Sequence, residues 1–330
     1  MTIIIGTDEA GYGPNLGPLV VAASGWRIDA PQSQASEKLV LAIDHALSEI
    51  VSQGFKGPLW ADSKTIFRGT HGLVSLERGV LSAVALCVGN VPGAWPSLAN
   101  LLAGGITPTA HDRTATEWTA LEQLVLPLEV KASSCDRIAS CLRDILQQQG
   151  VTLECLRATA VYPASFNAML DCGLNKSDIL SSTTLSLAAT ICQEIRSSTP
   201  SDALEPILLW CDRHGGRKSY ASLLSHHFDA AIVSILVETA SCSTYSIGSQ
   251  AIRIEFSVGG ESRIPVALAS MTAKYVRELS MSVFNAAWAA RVPGLKPTAG
   301  YPTDAIRWRR DAKEAISAAE MPIDSLWRRV

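Results

Sequence analysis

Two carboxylates, Asp8 and Glu9, stand side by side at the end of an apolar run, Ile3-Ile4-Ile5-Gly6-Thr7. A glycine-rich turn follows, Ala10-Gly11-Tyr12-Gly13-Pro14, and then Gly17-Pro18 and a second apolar run, Leu19 to Ala23. Burying charge is costly, and a divalent cation is the commonest partner that makes adjacent acids tolerable. Two other readings stand beside the metal site. One is a β-hairpin whose loop happens to be acidic. The other is a dinucleotide loop, suggested by Gly11-Tyr12-Gly13; it is weak, because Pro14 and Pro18 fall where its helix should begin and Leu19–Ala23 reads as strand. The metal reading requires further acids elsewhere in the chain.

Two are found at comparable places. Asp212 ends the continuous apolar run Ile207-Leu208-Leu209-Trp210-Cys211, the position where α/β sheets put ligands. Glu261 follows Gly259-Gly260 just before a helical stretch. Alone, Asp212 also reads as a helix cap and Glu261 as a solvated loop acid. Together, Asp8, Glu9, Asp212 and Glu261 form an all-oxygen set suited to Mg²⁺ or Mn²⁺, with Mg²⁺ keeping several waters. Two such ions can clamp the attacking and leaving oxygens of a phosphodiester. Beside Asp212, Arg213, Arg217 and Lys218 form a basic cluster that can hold phosphate.

The elements that must position these groups follow from periodicity. Residues 2–6 and 18–26 read as paired strands, and Ser33–Ser52 as an amphipathic helix with Leu39, Ile43, Leu47 and Ile50 on one stripe. Helices are expected at about 73–88, 117–125, 134–148, 176–197 and 218–227, with a long one from about Pro265. Strands are expected within 151–162 and at 207–211, 230–237 and 250–257. Residues 89–114 are rich in Gly, Pro, Ala and Thr and read as irregular. This order predicts an α/β fold, a mixed sheet flanked by helices. A single domain over 1–330 is expected. It would carry a mostly helical insertion at about 70–150, packed away from the carboxylates, and a helical segment at about 300–330.

The chain has 330 residues, 47% of them hydrophobic, and a net charge of −3, so nucleic-acid binding would have to come from local basic patches. Its eight cysteines include no CxxC pair and are expected to be reduced core residues. No basic region precedes a long apolar core at the N-terminus, so no signal peptide is expected and the location expected is cytoplasmic. No apolar run approaches the roughly 20 residues that span a bilayer. Trp308-Arg309-Arg310 and Trp327-Arg328-Arg329 pair aromatics with cations and fit amphipathic helices with a buried Trp better than base-stacking platforms. His226-His227 reads as a surface or helix-end pair.

Thr7-Asp8-Glu9-Ala10-Gly11-Tyr12-Gly13-Pro14 with Gly17-Pro18 resembles the ribonuclease HII signature, DEAGRGP followed by a G-P-x-V strand. In the same order, Asp62-Ser63-Lys64 resembles the DSK loop of that family, and Tyr162-Pro163 through Phe166-Asn167 the segment before its long helix. Gly260-Glu261-Ser262-Arg263-Ile264-Pro265 with Ala269 to Lys274 resembles its GDSRxP…AASxxAK block, and Gly300-Tyr301-Pro302-Thr303 its GYGT loop.

The resemblance implies a ribonuclease-H-like sheet bearing four metal-site acids, Asp8, Glu9, Asp212 and Glu261. It implies an endoribonuclease that hydrolyses RNA phosphodiesters in RNA/DNA hybrids or at embedded ribonucleotides, with no membrane partner. Gly11, Tyr12 and Gly13 would lie along the scissile strand, Ser63 and Lys64 at the phosphates, and Tyr301 on a sugar. A same-fold nuclease with another substrate, or a non-catalytic nucleic-acid-binding paralogue, remains open. The chain departs from the pattern at four places: Tyr12 replaces the basic residue of the turn, Glu261 an aspartate and Pro302 a glycine, and the histidine expected shortly after the Gly300–Thr303 loop is absent.

Overall fold

The apolar run Ile207–Cys211 forms the central strand of a mixed sheet. In the computed structural model, which describes residues 1–55, 57–61, 72–103, 105–197 and 204–329, the strands are β1 (Thr2–Ala10), β2 (Leu19–Ile28), β3 (Val151–Val161), β4 (Ile207–Asp212), β5 (Ser234–Glu238), β6 (Cys242–Ile247) and β7 (Ile252–Ser257). They form one sheet in the order β3-β2-β1-β4-β7-β6-β5. β1, β2 and β3 pair antiparallel; β4 and β7 run parallel to β1, and β6 and β5 pair antiparallel beyond them. Thr7 pairs with Cys211 and Cys211 with Phe256. The C-terminal ends of β1, β4 and β7 therefore emerge at one rim.

Side-chain alternation along the strands divides the core in two. Ile4, Val20, Ala22 and Leu208 pack with α1 (Gln32–Ser52), α2 (Gly72–Val88), α4 (Ala132–Gln148) and α8 (Ile264–Arg291). Ile3, Ile5, Val21 and Leu209 pack on the other face with α6 (Lys176–Ser197) and α7 (Ala221–His227). α8 is pressed against β1 at Gly6, where a Cβ would stand 2.2 Å from the Pro265 carbonyl carbon. Only a residue without a side chain lets the first turn of α8 come that close, and this contact sets α8 beside the acids that end β1.

The region 70–150 is mostly helical, as expected, with α3 (Trp95–Leu101) between α2 and α4. It shares the core of the sheet: Trp118 stacks on Phe284 of α8 with ring centroids 5.3 Å apart. Glu77 of α2 is fully buried and accepts the N–H groups of Leu128, Glu129 and Val130 and the hydroxyl of Tyr275. Glu77→Ala would leave these donors unsatisfied in the interior. We expect it to cost at least about 3 kcal/mol, read by chemical denaturation, with Glu77→Gln in between.

Several sequence expectations differ from the structure; within residues 89–114, expected to be irregular, Trp95–Leu101 forms a helix with Pro96 in its first turn. Residues 117–125 form a 3-10 helix over Thr116–Gln123, since Pro127 stops an α-helix from propagating and so short a segment gains little cooperativity. β6 was not expected, because Cys242-Ser-Thr-Tyr-Ser-Ile247 is mostly small and polar; its buried Ser243 and Tyr245 face the core by alternation. The final helical segment stops earlier than expected. α9 (Pro302–Asp311) and α10 (Lys313–Ala318) are followed by a 3-10 turn and then a short segment that bridges Trp327 to Leu16. Trp308 is buried against Phe284 and Trp288. No helix among the described residues is long and apolar enough to cross a membrane.

Candidate active site

The rim shared by β1, β4 and β7 carries the acids. Asp8 lies one residue beyond the Thr7–Cys211 pair, and Asp212 follows Cys211. Asp212 Oδ1 accepts the Gly260 N–H at 2.9 Å, which fixes the turn that presents Glu261. Ser270 of α8 donates to Glu261 Oε1 at 3.1 Å. The Glu9 N–H donates to Asp8 Oδ1 at 2.8 Å. The strand does not break before Glu9: β1 stays paired with β2 through Ala10. β4 ends at Asp212, and Glu9 lines the groove at the rim together with Glu261.

The charges at this rim repel. Burial and then the charges of Glu9, Asp212 and Glu261 hold the Asp8 carboxyl well above its ordinary range. Burial and then Asp212 push Glu9 up to about 7. The four acids are thus in electrostatic contact without closing on one point: among the described residues, no three or more His, Cys, Asp or Glu are arranged to hold a metal ion. Two features still fit a hard divalent cation. Every donor is a carboxylate oxygen. Asp8 Oδ2 is buried and has no hydrogen-bond partner among the described residues, an acceptor that a cation would satisfy.

A groove of about 560 Å³ opens beside the rim, lined by Glu9, Gly11, Glu261, Lys274, Arg277 and Tyr301. Leu73 also lines it, so the insertion reaches the mouth at this residue instead of packing away from it. The Gly11–Pro14 turn forms one wall. Gly11 has φ of +83°, and a Cβ there would lie 2.5 Å from the Pro18 carbonyl oxygen, so only glycine fits. Arg277 of α8 braces the chain after the turn by donating to the carbonyls of Leu16, Pro18 and Ala299. Tyr301 is 58% exposed, and its ring faces Gly13 across 3.6 Å from a Cβ position.

Tyr12 points toward the loop after β4, where its hydroxyl lies 3.3 Å from a Cβ position on Gly215. Lys176, the first residue of α6, holds its Nζ 4.7 Å from the centroid of the Tyr12 ring. Sequence reasoning missed Lys176: it read the helix start correctly, but no local signal joins positions 12 and 176. Ser270 was likewise seen only as part of a motif.

Of the basic cluster beside Asp212, Lys218 is exposed, while Arg213 and Arg217 are engaged within the protein. Arg213 is buried, and its guanidinium donates to the carbonyls of Arg217, Thr239 and Ala240 and to the Ser243 hydroxyl. Its charge is absorbed in joining β4 to the β5–β6 turn. Arg217 pairs with Asp178 at the start of α6. His214 is fully enclosed and burial drives its pKa down to about 3, so it stays neutral. Ser63 and Lys64 lie outside the described residues.

No protein-family description matches the sequence, and no curated protein matches it. Among solved structures, the chain is similar to Bst-RNase HIII in complex with Mn²⁺ at 13% identity and TM-score 0.43, covering 99% of this chain and 66% of that one. It thus spans about two thirds of that relative's length. It is also similar to ribonuclease HII in a complex with PCNA from Archaeoglobus fulgidus, at 15% identity, TM-score 0.41, and 99% and 93% coverage. Ribonuclease H2 from Pyrococcus horikoshii OT3 gives 13% identity, TM-score 0.38, and 98% and 92% coverage. The antiparallel β3-β2-β1 meander, continued by the parallel β4 and covered by helices on both faces, is the architecture that the sequence motifs implied. The chain has an α/β fold, a mixed seven-stranded sheet flanked by helices.

Proposed function

We propose that this protein is a divalent-metal-dependent endonuclease that hydrolyses RNA phosphodiesters in RNA/DNA hybrids or at ribonucleotides embedded in DNA. The observation that carries the reading is the rim itself. Asp8 and Glu9 come from the end of β1, Asp212 from the end of β4 and Glu261 from the turn after β7; the Gly260 N–H ties Asp212 to that turn, Ser270 holds Glu261, and the set opens beside the Gly11–Pro14 turn. The motifs resembling ribonuclease HII assign the reaction class.

The four carboxylates would hold Mg²⁺ or Mn²⁺. When bound, the cation supplies Lewis-acid stabilisation of the phosphoryl oxygens and lowers the pKa of water. The remaining steps belong to the chain. Glu9, with a pKa near 7, keeps part of its proton at neutral pH and releases it when a cation takes its place. The turn at Gly11–Gly13 brings backbone N–H groups to the sugar-phosphate strand, where the 2′-OH distinguishes RNA from DNA. Tyr301 offers a ring to a sugar beside it, and Lys176 a charge to a phosphate.

Labelled RNA/DNA hybrid, duplex DNA with one ribonucleotide, all-DNA duplex and single-stranded RNA, each with Mg²⁺ or Mn²⁺, test the reading. Metal-dependent cleavage of the first or second substrate, with the all-DNA duplex intact, is expected. Failure to cut any ribonucleotide-containing duplex with either metal would overturn it.

A further inference from the structure

The motif Trp327-Arg328-Arg329 forms no helix. It crosses back under the Gly11–Pro14 turn. The Arg328 N–H donates to the Asn15 carbonyl at 2.7 Å, and Asn15 Nδ2 returns a bond to the Arg328 carbonyl at 3.2 Å. The Arg328 guanidinium is fully buried. Its Nη2 donates to the Gly11 carbonyl at 2.6 Å and also to the Pro14 carbonyl, and its plane lies over the Phe166 ring at 5.1 Å. From outside, Asn167 of α5 (Pro163–Asp171) fastens the same segment. Its Nδ2 donates to the carbonyls of Asp324 and Trp327, and its Oδ1 accepts the Arg329 N–H.

We infer that Arg328 is a positioning residue that aims the backbone of the Gly11–Pro14 turn at the substrate. The inference rests on the proposed function. In a trans peptide, C=O and N–H point in opposite directions. Drawing the Gly11 carbonyl into the interior turns the Tyr12 N–H outward, and among the described residues that N–H has no hydrogen-bond partner. It is placed to meet an acceptor oxygen of a ribose-phosphate strand. A buried guanidinium is costly unless its donors are used. Here its position instead fixes two carbonyls of a glycine turn that has few restraints of its own. The guanidinium touches neither the acids nor the groove; it acts on the turn through its hydrogen bonds and, by its charge, on Lys176 beside Tyr12.

Two readouts separate this role from general stability. Backbone amide exchange is measured in wild type, Arg328→Lys and Arg328→Gln. The Asn15 and Leu16 amides, which bond the Gly300 carbonyl, should exchange faster in the variants while α8 is unchanged. Steady-state cleavage of a one-ribonucleotide duplex should show KM raised about tenfold or more in Arg328→Gln with kcat within about twofold, the size expected for losing charge-assisted bonds that aim the turn. Arg328→Lys should recover part of the loss. The Mn²⁺-induced shift in Tm should match wild type, because the carboxylates are untouched. If Arg328→Gln does not fold, Arg328→Lys and Asn167→Ala decide by the same two measurements. Unchanged exchange at Asn15 and Leu16, or a fall in kcat at constant KM, would overturn the inference. If wild type cuts no ribonucleotide substrate, the functional reading fails, and the exchange comparison still decides whether Arg328 holds the turn.

Discussion

Asp212→Asn is expected to lower cleavage by at least about 10³-fold while leaving the metal-free protein as stable as wild type or more so. Asparagine keeps an oxygen that can accept the Gly260 N–H, so the turn bearing Glu261 is retained. What is lost is a charge. In wild type that charge is the second cause, after burial, of the raised Glu9 pKa, and it also bears on Asp8. Removing it relieves repulsion. For a chain of this size each kcal/mol gained moves Tm by about 1–2 °C. An Asp212→Asn enzyme that cuts at the wild-type rate would remove Asp212 from the chemistry.

Burial of these carboxyls, together with the same repulsion, gives the metal-free protein a pH dependence. Asp8 and Glu9 bind protons more tightly folded than unfolded, so folding takes up protons in this range. Their contribution is complete below the unfolded value and drains as pH rises through the folded one. For Glu9 the window runs from its ordinary 4.5 up to about 7, and the loss by pH 8 is on the order of 3 kcal/mol. Metal-free wild type should therefore melt lower at pH 8 than at pH 5.5. Mn²⁺ should restore more stability at pH 8, where it displaces fewer protons. Denaturation at the two pH values, with and without Mn²⁺, reads both effects. A flat wild-type profile would mean that burial and repulsion do not raise these carboxyls as described.

The rim was legible because its signals are local. An apolar run that stops at a carboxylate, followed by glycine, marks the end of a covered strand, and this holds for Asp8 and Asp212 alike. The long helices were legible from periodicity. The sequence does not reveal which loops meet. Arg213 reads as a free cation beside an acid, yet it is buried among carbonyls of the β5–β6 turn, a pairing that depends on β6, whose small polar residues carry little strand signal. Arg328 reads as part of an amphipathic helix, and its partners lie more than 300 positions away. Such contacts are fixed by topology, and periodicity does not encode them.

Tyr12 shows what that long-range placement changes. By sequence alone, replacing the basic residue of the turn with tyrosine predicts weaker hybrid binding, and Tyr12→Arg should tighten it. The structure supplies a cation from elsewhere: Lys176 Nζ sits 4.7 Å over the Tyr12 ring, held by the start of α6. Burial, and then the charge of Arg328, lower the Lys176 pKa, so the ammonium is less well solvated than a surface lysine and gains more from an incoming phosphate. Lys176→Met should weaken hybrid binding about tenfold at low salt and reduce the salt slope by about one phosphate contact. Tyr12→Arg in wild type should gain little, because the new guanidinium would face Lys176. In the Lys176→Met background the same substitution should recover most of the lost affinity. This non-additivity is the decisive quantity, and a double-mutant cycle across a salt series measures it. Additive effects, with Tyr12→Arg tightening binding equally in both backgrounds, would show that Lys176 does not serve the turn.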